Sequence, residues 1–243
     1  MLFYLRLVPV ILWLLICCTL WTIRALFSWG NPHLFARSVN FLGKPVLWLL
    51  GLKVDLRNGE HFKNHPVVLI SNHQSALDVA LIGAICPPDT VPVGKKEIAK
   101  VPFIGWWYAG CGGRLINRQN RSEAVGELEK LVDFILKKKI SIGIMPEGTR
   151  NKDGNSLLPF KKGAFHLAIQ AQVPIVAMVV APLSKIANWK SKKLVGATIP
   201  IQVLPPFPTK GLTEQDIPAF IEKVRTEMLA VYNALGQGRL SAL

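Results

Sequence analysis

The segment 66–78, PVVLISNHQSALD, sets the fold of this chain. Its first six residues form an apolar run rich in β-branched side chains, which is typical of a strand buried on both faces. Polar residues follow at once, and a helix is predicted to begin just before Asp78. Similar apolar runs recur at 140–145 and 174–180, with helical segments between them. Alternating strands and helices of this kind predict an α/β fold, with a largely parallel central sheet flanked by helices.

Two longer helices are predicted on either side of the last of these runs. Apolar residues at helical spacing follow Arg121, and the lysines at 137–139 complement the C-terminal dipole of that helix. Near the end of the chain, Thr213 is a suitable N-cap for a helix that runs to a glycine stop at Gly236. Both helices fit a layer that covers the sheet.

The composition is that of a protein that binds anions and contacts a membrane. The 243 residues include 29 Lys and Arg against 15 Asp and Glu, a net charge of +14, and 50% are hydrophobic. Because basic surfaces collect phosphates and anionic headgroups, an anionic phospholipid membrane is an expected partner. The high hydrophobicity excludes intrinsic disorder. Nucleic acid is not expected, since the sequence has no zinc-finger spacing, aromatic RNA-binding signature or long basic arm.

The four cysteines indicate reducing surroundings. Cys17 and Cys18 are adjacent, whereas Cys86 and Cys111 stand alone in apolar or glycine-rich segments. Neither disulfide frameworks nor zinc sites show this spacing, so no metal is expected.

The first 58 residues are predicted to form a membrane-associated hairpin of two apolar helices. The stretch 7–23 carries no charge, and as a helix it would measure about 26 Å, slightly short of a roughly 30 Å hydrocarbon core. A second apolar stretch, 45–52, is too short to cross a bilayer. A hairpin embedded in one leaflet is therefore favoured over a single span, and a cleaved signal peptide is least favoured because no small-residue cleavage site follows. The α/β domain is expected over 59–243.

His73 and Asp78 form the first candidate catalytic pair. Five residues along a regular helix turn through about 500°, so the two side chains would not share one helical face. If His73 lies in the turn after the strand and Asp78 in the first helical turn, the carboxylate can fold back to one imidazole nitrogen. The other nitrogen is then free to take a proton. No Ser or Cys completes a triad, so that proton would come directly from a substrate hydroxyl; a histidine that merely satisfies a turn is the alternative.

The segment 95–118 combines glycines with cationic side chains. Lys95, Lys96 and Arg118 offer positive charge, and the glycines between them allow backbone to approach a ligand closely. The residues alone do not decide whether Lys95 or Lys96 faces the ligand. Considered alone, the segment favours an ordinary glycine-rich turn, because such turns with a flanking Arg are common.

The segment 145–150, MPEGTR, follows a predicted strand and has the residues of an anion-binding turn. Gly148 allows a tight turn, Thr149 offers a hydroxyl and an amide, and Arg150 can bind two phosphate oxygens. Glu147 would hold Arg150 or a substrate hydroxyl in place. Lys161 adds a cation just before a predicted helix, whose start attracts phosphate. A surface turn closed by a Glu–Arg pair is the alternative.

In this order and spacing, the segments resemble the glycerolipid acyltransferase family, and specifically the bacterial 1-acyl-glycerol-3-phosphate acyltransferases. The NHx4D motif of that family matches at Asn72, His73 and Asp78. The segment ending at Arg118 resembles the second motif, residues 147–150 the third and residues 173–176 the fourth. Many relatives have Asp at position 117 and Phe at position 145, where this chain has Asn and Met, so neither position is given a catalytic role.

The resemblance implies an enzyme that transfers a fatty acyl group from acyl carrier protein or coenzyme A to the sn-2 hydroxyl of 1-acyl-glycerol 3-phosphate (lysophosphatidic acid), giving phosphatidic acid. His73 would be the general base and Asp78 its orienting partner. The residues implied around the substrate phosphate are Lys95, Arg118, Glu147, Gly148, Thr149, Arg150 and Lys161. No cofactor is expected, because the thioester already carries an activated acyl group.

The resemblance also implies a location at the membrane, in bacteria the inner membrane with the site on the cytoplasmic face. Two alternatives stay open. One is the same chemistry on glycerol 3-phosphate or another lysophospholipid, and the other is a lipid-binding membrane protein without catalytic activity.

Overall fold

A computed structural model describes residues 2–63, 65–117, 121–151, 154, 156–184, 186–188 and 192–238. The chain divides into two compact units. One unit consists of Met1–Leu50 and Val79–Gly143, and the other of Gly51–Asp78 and Ile144–Leu243. The predicted division into a membrane hairpin over 1–58 and an acyltransferase domain over 59–243 stays a prediction.

Helices and strands alternate along most of the chain. The helices are α1 (Leu2–Ala25), α2 (Pro32–Leu50), α3 (Leu77–Ile85), α4 (Ile104–Gly110), α5 (Arg121–Lys138), α6 (Gly163–Ala171) and α7 (Ile217–Gly236). The strands are β1 (Leu52–Arg57), β2 (Val68–Ser71), β3 (Thr90–Lys95), β4 (Arg114–Ile116), β5 (Ser141–Ile144), β6 (Ile175–Val180), β7 (Ala187–Asn188), β8 (Lys193–Leu194) and β9 (Ala197–Val203). The strands predicted at 66–71, 140–145 and 174–180 are thus confirmed as β2, β5 and β6.

The first unit packs three helices together. Helix α1 contacts α2 and α4, and α2 contacts β3. The ring of Trp13 stacks on that of Phe41 with centroids 5.6 Å apart. Arg6 Nη1 donates a hydrogen bond to the carbonyl of Leu50, 3.0 Å away, so the start of α1 is tied to the end of α2. Strand β3 pairs in parallel with both β4 and β5.

The second apolar helix differs from its prediction. The apolar stretch 45–52 pointed to a short separate element, but α2 begins at Pro32 and contains Pro45. The buried residues of its first half, which include Phe35, Val39 and Leu42, recur at helical spacing with polar residues between them. Because this half is not a continuous apolar stretch, hydropathy alone does not show where the helix starts. The helix ends at Leu50, and Gly51 follows with a φ of +71°, which suits glycine, before β1 begins.

Helix α1 has an unusually exposed apolar surface. The stretch Tyr4–Ala25 is long and apolar enough to cross a membrane, and 17% of its apolar window is buried. Leu5, Leu12 and Leu20 are each more than half exposed. Whether the N-terminal helices lie in one leaflet or α1 spans the bilayer stays a prediction.

The second unit contains β1, β2, β6 and β9 and the helices that cover them. Strand β2 pairs in parallel with β6, and β1 pairs in parallel with β9. The pairing of β6 with β9 is antiparallel. All six residues of β6 are buried, as expected for a strand covered on both faces. Helix α6 packs on β2, and α7 packs on β6, so the predicted largely parallel sheet flanked by helices is confirmed.

The two longer predicted helices are also confirmed. Helix α5 begins at Arg121, and α7 ends at Gly236. Thr213 caps a short 3-10 turn, in which its hydroxyl and amide donate to the Asp216 carboxylate, and α7 begins at the next residue, Ile217. All four cysteines are buried and unpaired.

Candidate active site

His73 and Asp78 meet in the connection between β2 and α3. Strand β2 ends at Ser71, and Asp78 lies in the first turn of α3. The carboxylate folds back so that its Oδ2 lies 2.8 Å from Nδ1 of His73. The Asp78 side chain is fully buried, whereas 15% of the His73 side chain is exposed. With Nδ1 bound to the carboxylate, Nε2 is the nitrogen that can take a proton from a substrate.

The orientation of the Asp78 carboxylate is set by backbone amides. The N–H groups of Gln74 and Ser75 both donate to Oδ2, the second at 2.7 Å. These donors lie just before the N-terminus of α3, where backbone N–H groups and the helix dipole favour negative charge. The backbone of the turn therefore determines the position of the carboxylate beside His73.

Asn72 ties this turn to the end of β6. Its Nδ2 donates to the carbonyl of Val180, and its Oδ1 accepts from the N–H of the same residue, at 3.0 and 2.8 Å. The side chain is completely buried. Asn72 thus replaces the ladder hydrogen bonds that β2 no longer makes past Ser71, a role that the sequence did not reveal because Val180 lies 108 residues away.

Glu147 links the turn at His73 to the segment after β5. Its carboxylate is buried, and Oε1 accepts a hydrogen bond from the backbone N–H of His73 at 2.8 Å while Oε2 accepts one from Leu158 at 3.1 Å. Burial raises the pKa of Glu147, and the two backbone donors oppose that shift. The sequence interpretation, in which Glu147 holds Arg150 or a substrate hydroxyl, missed these partners because both contacts are backbone donors with no local signature.

The predicted anion-binding turn lies directly against the His73 turn. The backbone N–H of Asn151, the residue after Arg150, donates to the carbonyl of His73 at 2.7 Å. Gly148 has a φ of +69°, and a Cβ placed there would lie 2.8 Å from Cε of Lys161. The Lys161 side chain therefore lies over the turn at Gly148. Thr149 and Arg150 are both exposed.

The structure thus brings together most of the residues that the sequence selected. His73, Asp78, Glu147, Gly148 and Lys161 are connected by the contacts above, and Thr149 and Arg150 lie in the same turn.

The other two predicted phosphate ligands, Lys95 and Arg118, are not tested by these contacts. Lys95 ends β3, is exposed and belongs to the first compact unit. Arg118 lies outside the described residues. The participation of Lys95 and Arg118 in phosphate binding stays a prediction.

Comparison with known proteins places the chain in a family. The sequence profile of the acyltransferase family matches residues 53–181. The chain is 38% identical to the 1-acyl-sn-glycerol-3-phosphate acyltransferase of Escherichia coli over 85% of its own length and 83% of that protein. It is 35% identical to the Saccharomyces cerevisiae enzyme of the same name, over 97% of this chain and 79% of the relative. The human alpha form is 37% identical over 78% of this chain, and the match covers 67% of the human protein.

A solved structure shows the same fold. The crystal structure of the 1-acyl-sn-glycerophosphate acyltransferase from Thermotoga maritima superimposes with a TM-score of 0.75 over 96% of this chain and 95% of that one, at 21% identity. The profile match and the relatives together show that this chain belongs to the acyltransferase family.

Proposed function

We propose that this member of the acyltransferase family transfers a fatty acyl group from a thioester to the free hydroxyl of 1-acyl-glycerol 3-phosphate, giving phosphatidic acid. The names of its relatives support the acceptor. The observation that carries the chemistry is the 2.8 Å contact between His73 Nδ1 and the buried Asp78 carboxylate. This pair lies beside a turn that exposes Arg150.

The reaction begins with removal of a proton from the acceptor. An alcohol is too weak an acid to attack a thioester unaided at neutral pH, so Nε2 of His73 takes the hydroxyl proton as the new carbon–oxygen bond forms. The Asp78 carboxylate stabilises the resulting imidazolium. The tetrahedral intermediate then breaks its carbon–sulfur bond, and the departing thiolate takes the proton back from His73. General-base assistance of this kind contributes about 10² to 10⁴ in rate.

The phosphate of the acceptor would bind the turn 147–150 and Lys161. The Arg150 guanidinium can hold two phosphate oxygens, and the Lys161 ammonium adds a second positive charge above Gly148. Lys95 and Arg118 are further ligands that the family resemblance implies. Fixing the phosphate in this way holds the hydroxyl near His73 and removes much of the entropic cost of the reaction.

The acyl donor is proposed to be acyl carrier protein or coenzyme A. Either thioester supplies an activated acyl group, so the proposed reaction draws on no metal or redox cofactor. The net charge of +14 favours association with an acidic carrier or with the phosphates of coenzyme A.

The site is proposed to act at a membrane, in a bacterium the inner membrane on its cytoplasmic face. Acceptor and product are lipids, and each CH₂ brought into water would cost about 0.8 kcal/mol, so a site at the bilayer surface spares the acyl chains that exposure. The exposed apolar surface of α1 supports this location. A one-leaflet hairpin predicts that single cysteines placed before Arg24 are labelled by an impermeant reagent from one side only; labelling from the opposite side would establish a span.

A transfer assay with purified protein tests the proposal. The acceptors are 1-acyl-glycerol 3-phosphate, glycerol 3-phosphate, another lysophospholipid and a monoacylglycerol without phosphate, each with both donor types. We expect transfer to 1-acyl-glycerol 3-phosphate and its loss in His73→Ala.

His166→Ala is the matched control, because His166 also contacts a carboxylate, with Nδ1 3.6 Å from Glu214 Oε1, but lies outside the candidate site. Equal activity of the His73 and His166 variants would overturn the mechanism. A preference for another acceptor would overturn the substrate assignment.

A further inference from the structure

Helix α7 holds the segment that follows Arg150 through two side chains on one face. The hydroxyl of Tyr232 donates to the carbonyl of Gly154 at 2.6 Å. Arg225 donates from Nη2 to the carbonyl of Leu157 at 2.8 Å and from Nε to that of Leu158 at 3.3 Å. Residues seven apart lie two turns apart on the same side of a helix, so both reach one segment.

Tyr232 also reaches the turn that carries His73. Its hydroxyl lies 3.2 Å from Oε1 of Gln74, whose side chain is further fixed by Nε2 donating to Ala181 and by the N–H of Leu183. The backbone N–H of Gln74 in turn donates to the Asp78 carboxylate. Tyr232 is 1% exposed, and burial, with smaller contributions from nearby acidic groups, raises its pKa to about 12, so its hydroxyl stays protonated under working conditions.

Arg225 acts on a different part of the site. Leu158, whose carbonyl it binds, donates its own N–H to Oε2 of Glu147. Glu147 opens the turn that leads to Arg150, and its Oε1 accepts from the N–H of His73. The guanidinium thus supports the turn proposed to bind phosphate.

We propose that Tyr232 and Arg225 are positioning residues of this site: Tyr232 fixes the His73–Asp78 pair through Gln74, and Arg225 fixes the phosphate-binding turn through Leu158 and Glu147. The inference rests on the proposed function, since it is measured as acyl transfer. Neither side chain touches the reacting atoms, and neither belongs to a motif that the sequence analysis selected.

The two residues are expected to change different kinetic constants. Tyr232→Phe removes one hydroxyl and keeps the buried ring, so kcat should fall about threefold to tenfold while KM for the acceptor stays within about twofold. Arg225→Met should raise the acceptor KM about threefold to tenfold and leave kcat within about twofold. Arg225→Lys keeps one cationic donor and should restore part of the KM.

Matched controls lie on the same helix. Lys223→Met removes an equal charge from an exposed position, and Thr226→Val removes an exposed hydroxyl that donates to Glu222. Both should leave kcat and KM unchanged. Amide hydrogen exchange gives a second readout that needs no activity: the N–H of Asn151, bonded to His73, should exchange faster in Tyr232→Phe and not in the controls.

The outcomes separate this inference from the proposed function. Wild-type protein without transfer activity, or full activity in His73→Ala, would refute the proposed function, and the exchange measurement would still test the positioning by α7. The positioning is overturned if both variants behave as their controls do. It is equally overturned if kcat and KM change together in both variants in proportion to a fall in Tm, because a general loss of stability would act on both halves of the site alike.

Discussion

Replacing Asp78 with asparagine should slow acyl transfer about a thousandfold and leave acceptor binding nearly unchanged. Asparagine has the same size, and its side-chain oxygen can still accept the hydrogen bonds that Gln74 and Ser75 donate to the aspartate. What the change removes is the negative charge beside Nδ1 of His73. In the proposed mechanism that charge matters most in the transition state, where the imidazole takes the proton of the acceptor hydroxyl.

The magnitude follows from the geometry of the pair. With Nδ1 and Oδ2 2.8 Å apart, the two charges are centred about 4 Å from each other, and at an effective dielectric constant of about 20 they attract by about 4 kcal/mol. Because each 1.36 kcal/mol corresponds to about tenfold in rate, the loss is about 10³-fold. This value lies within the range of about 10² to 10⁴ that general-base assistance supplies.

The assay is steady-state transfer with the acceptor varied, so that kcat and KM separate. Asp133→Asn is the matched control, because it removes the same charge from an exposed ion pair with Lys137 on α5. In a His73→Ala background, adding Asp78→Asn should lower kcat by less than about threefold, because the carboxylate acts through the imidazole. A loss of less than about tenfold in the native background, or a full additional loss without His73, would refute the reasoning.

The turn after β5 offers three further tests. Arg150→Ala should raise the acceptor KM about tenfold or more, since hydrogen bonds to charged groups are the strong ones, and an unchanged KM would exclude it from phosphate binding. Gly148→Ala puts a methyl group at a φ of +69° against Lys161, so it should cost about 1 to 2 kcal/mol of stability and raise the acceptor KM; a variant with native Tm and KM would contradict the contact. Burial raises the pKa of Glu147, so the folded state should hold this proton more tightly than the unfolded state does. As pH rises from about 4 to 7, the unfolding free energy of the wild type, measured by urea titration, should therefore fall relative to that of Glu147→Gln. A relative gain would show that the pKa is shifted the opposite way.

The predicted and missed elements of the fold differ in the kind of pattern they present. Strands β2, β5 and β6 are predictable because each lies in a short apolar run rich in β-branched residues, which is typical of strands covered on both faces. Strand β9 has a weaker signal, because Ile199, Ile201 and Val203 are buried alternately and Pro200 lies among them. Its position between β1 and β6 comes from tertiary pairing that no local pattern specifies.

The site divides in the same way between local and distant contacts. The contact of His73 with Asp78 spans five residues and follows from a strand, a turn and a helix start, so the sequence predicts it. Glu147 meets the backbone of His73 across 74 residues, and Tyr232 meets Gln74 across 158. Such contacts depend on which chain segments the folded sheet brings together. In addition, the donors to the buried Glu147 carboxylate are backbone amides, which every residue except proline has, so no residue type in the sequence marks them.

Two hydrogen bonds of the His73 backbone fix the position of His73 relative to the turn that carries Arg150. The N–H of His73 donates to Glu147, and the carbonyl of His73 accepts from the N–H of Asn151, so the residue that carries the base is bound to both ends of the turn that carries Arg150. The acceptor holds its phosphate and its free hydroxyl on neighbouring carbons, so the separation between the phosphate ligands and Nε2 must match a short, fixed length. An error of about 1 Å in such a separation can cost about 10² in rate. In the proposed mechanism Glu147 acts as a spacer between the base and the cationic phosphate ligands, because its buried carboxylate binds the backbone of His73 and lies three residues before Arg150.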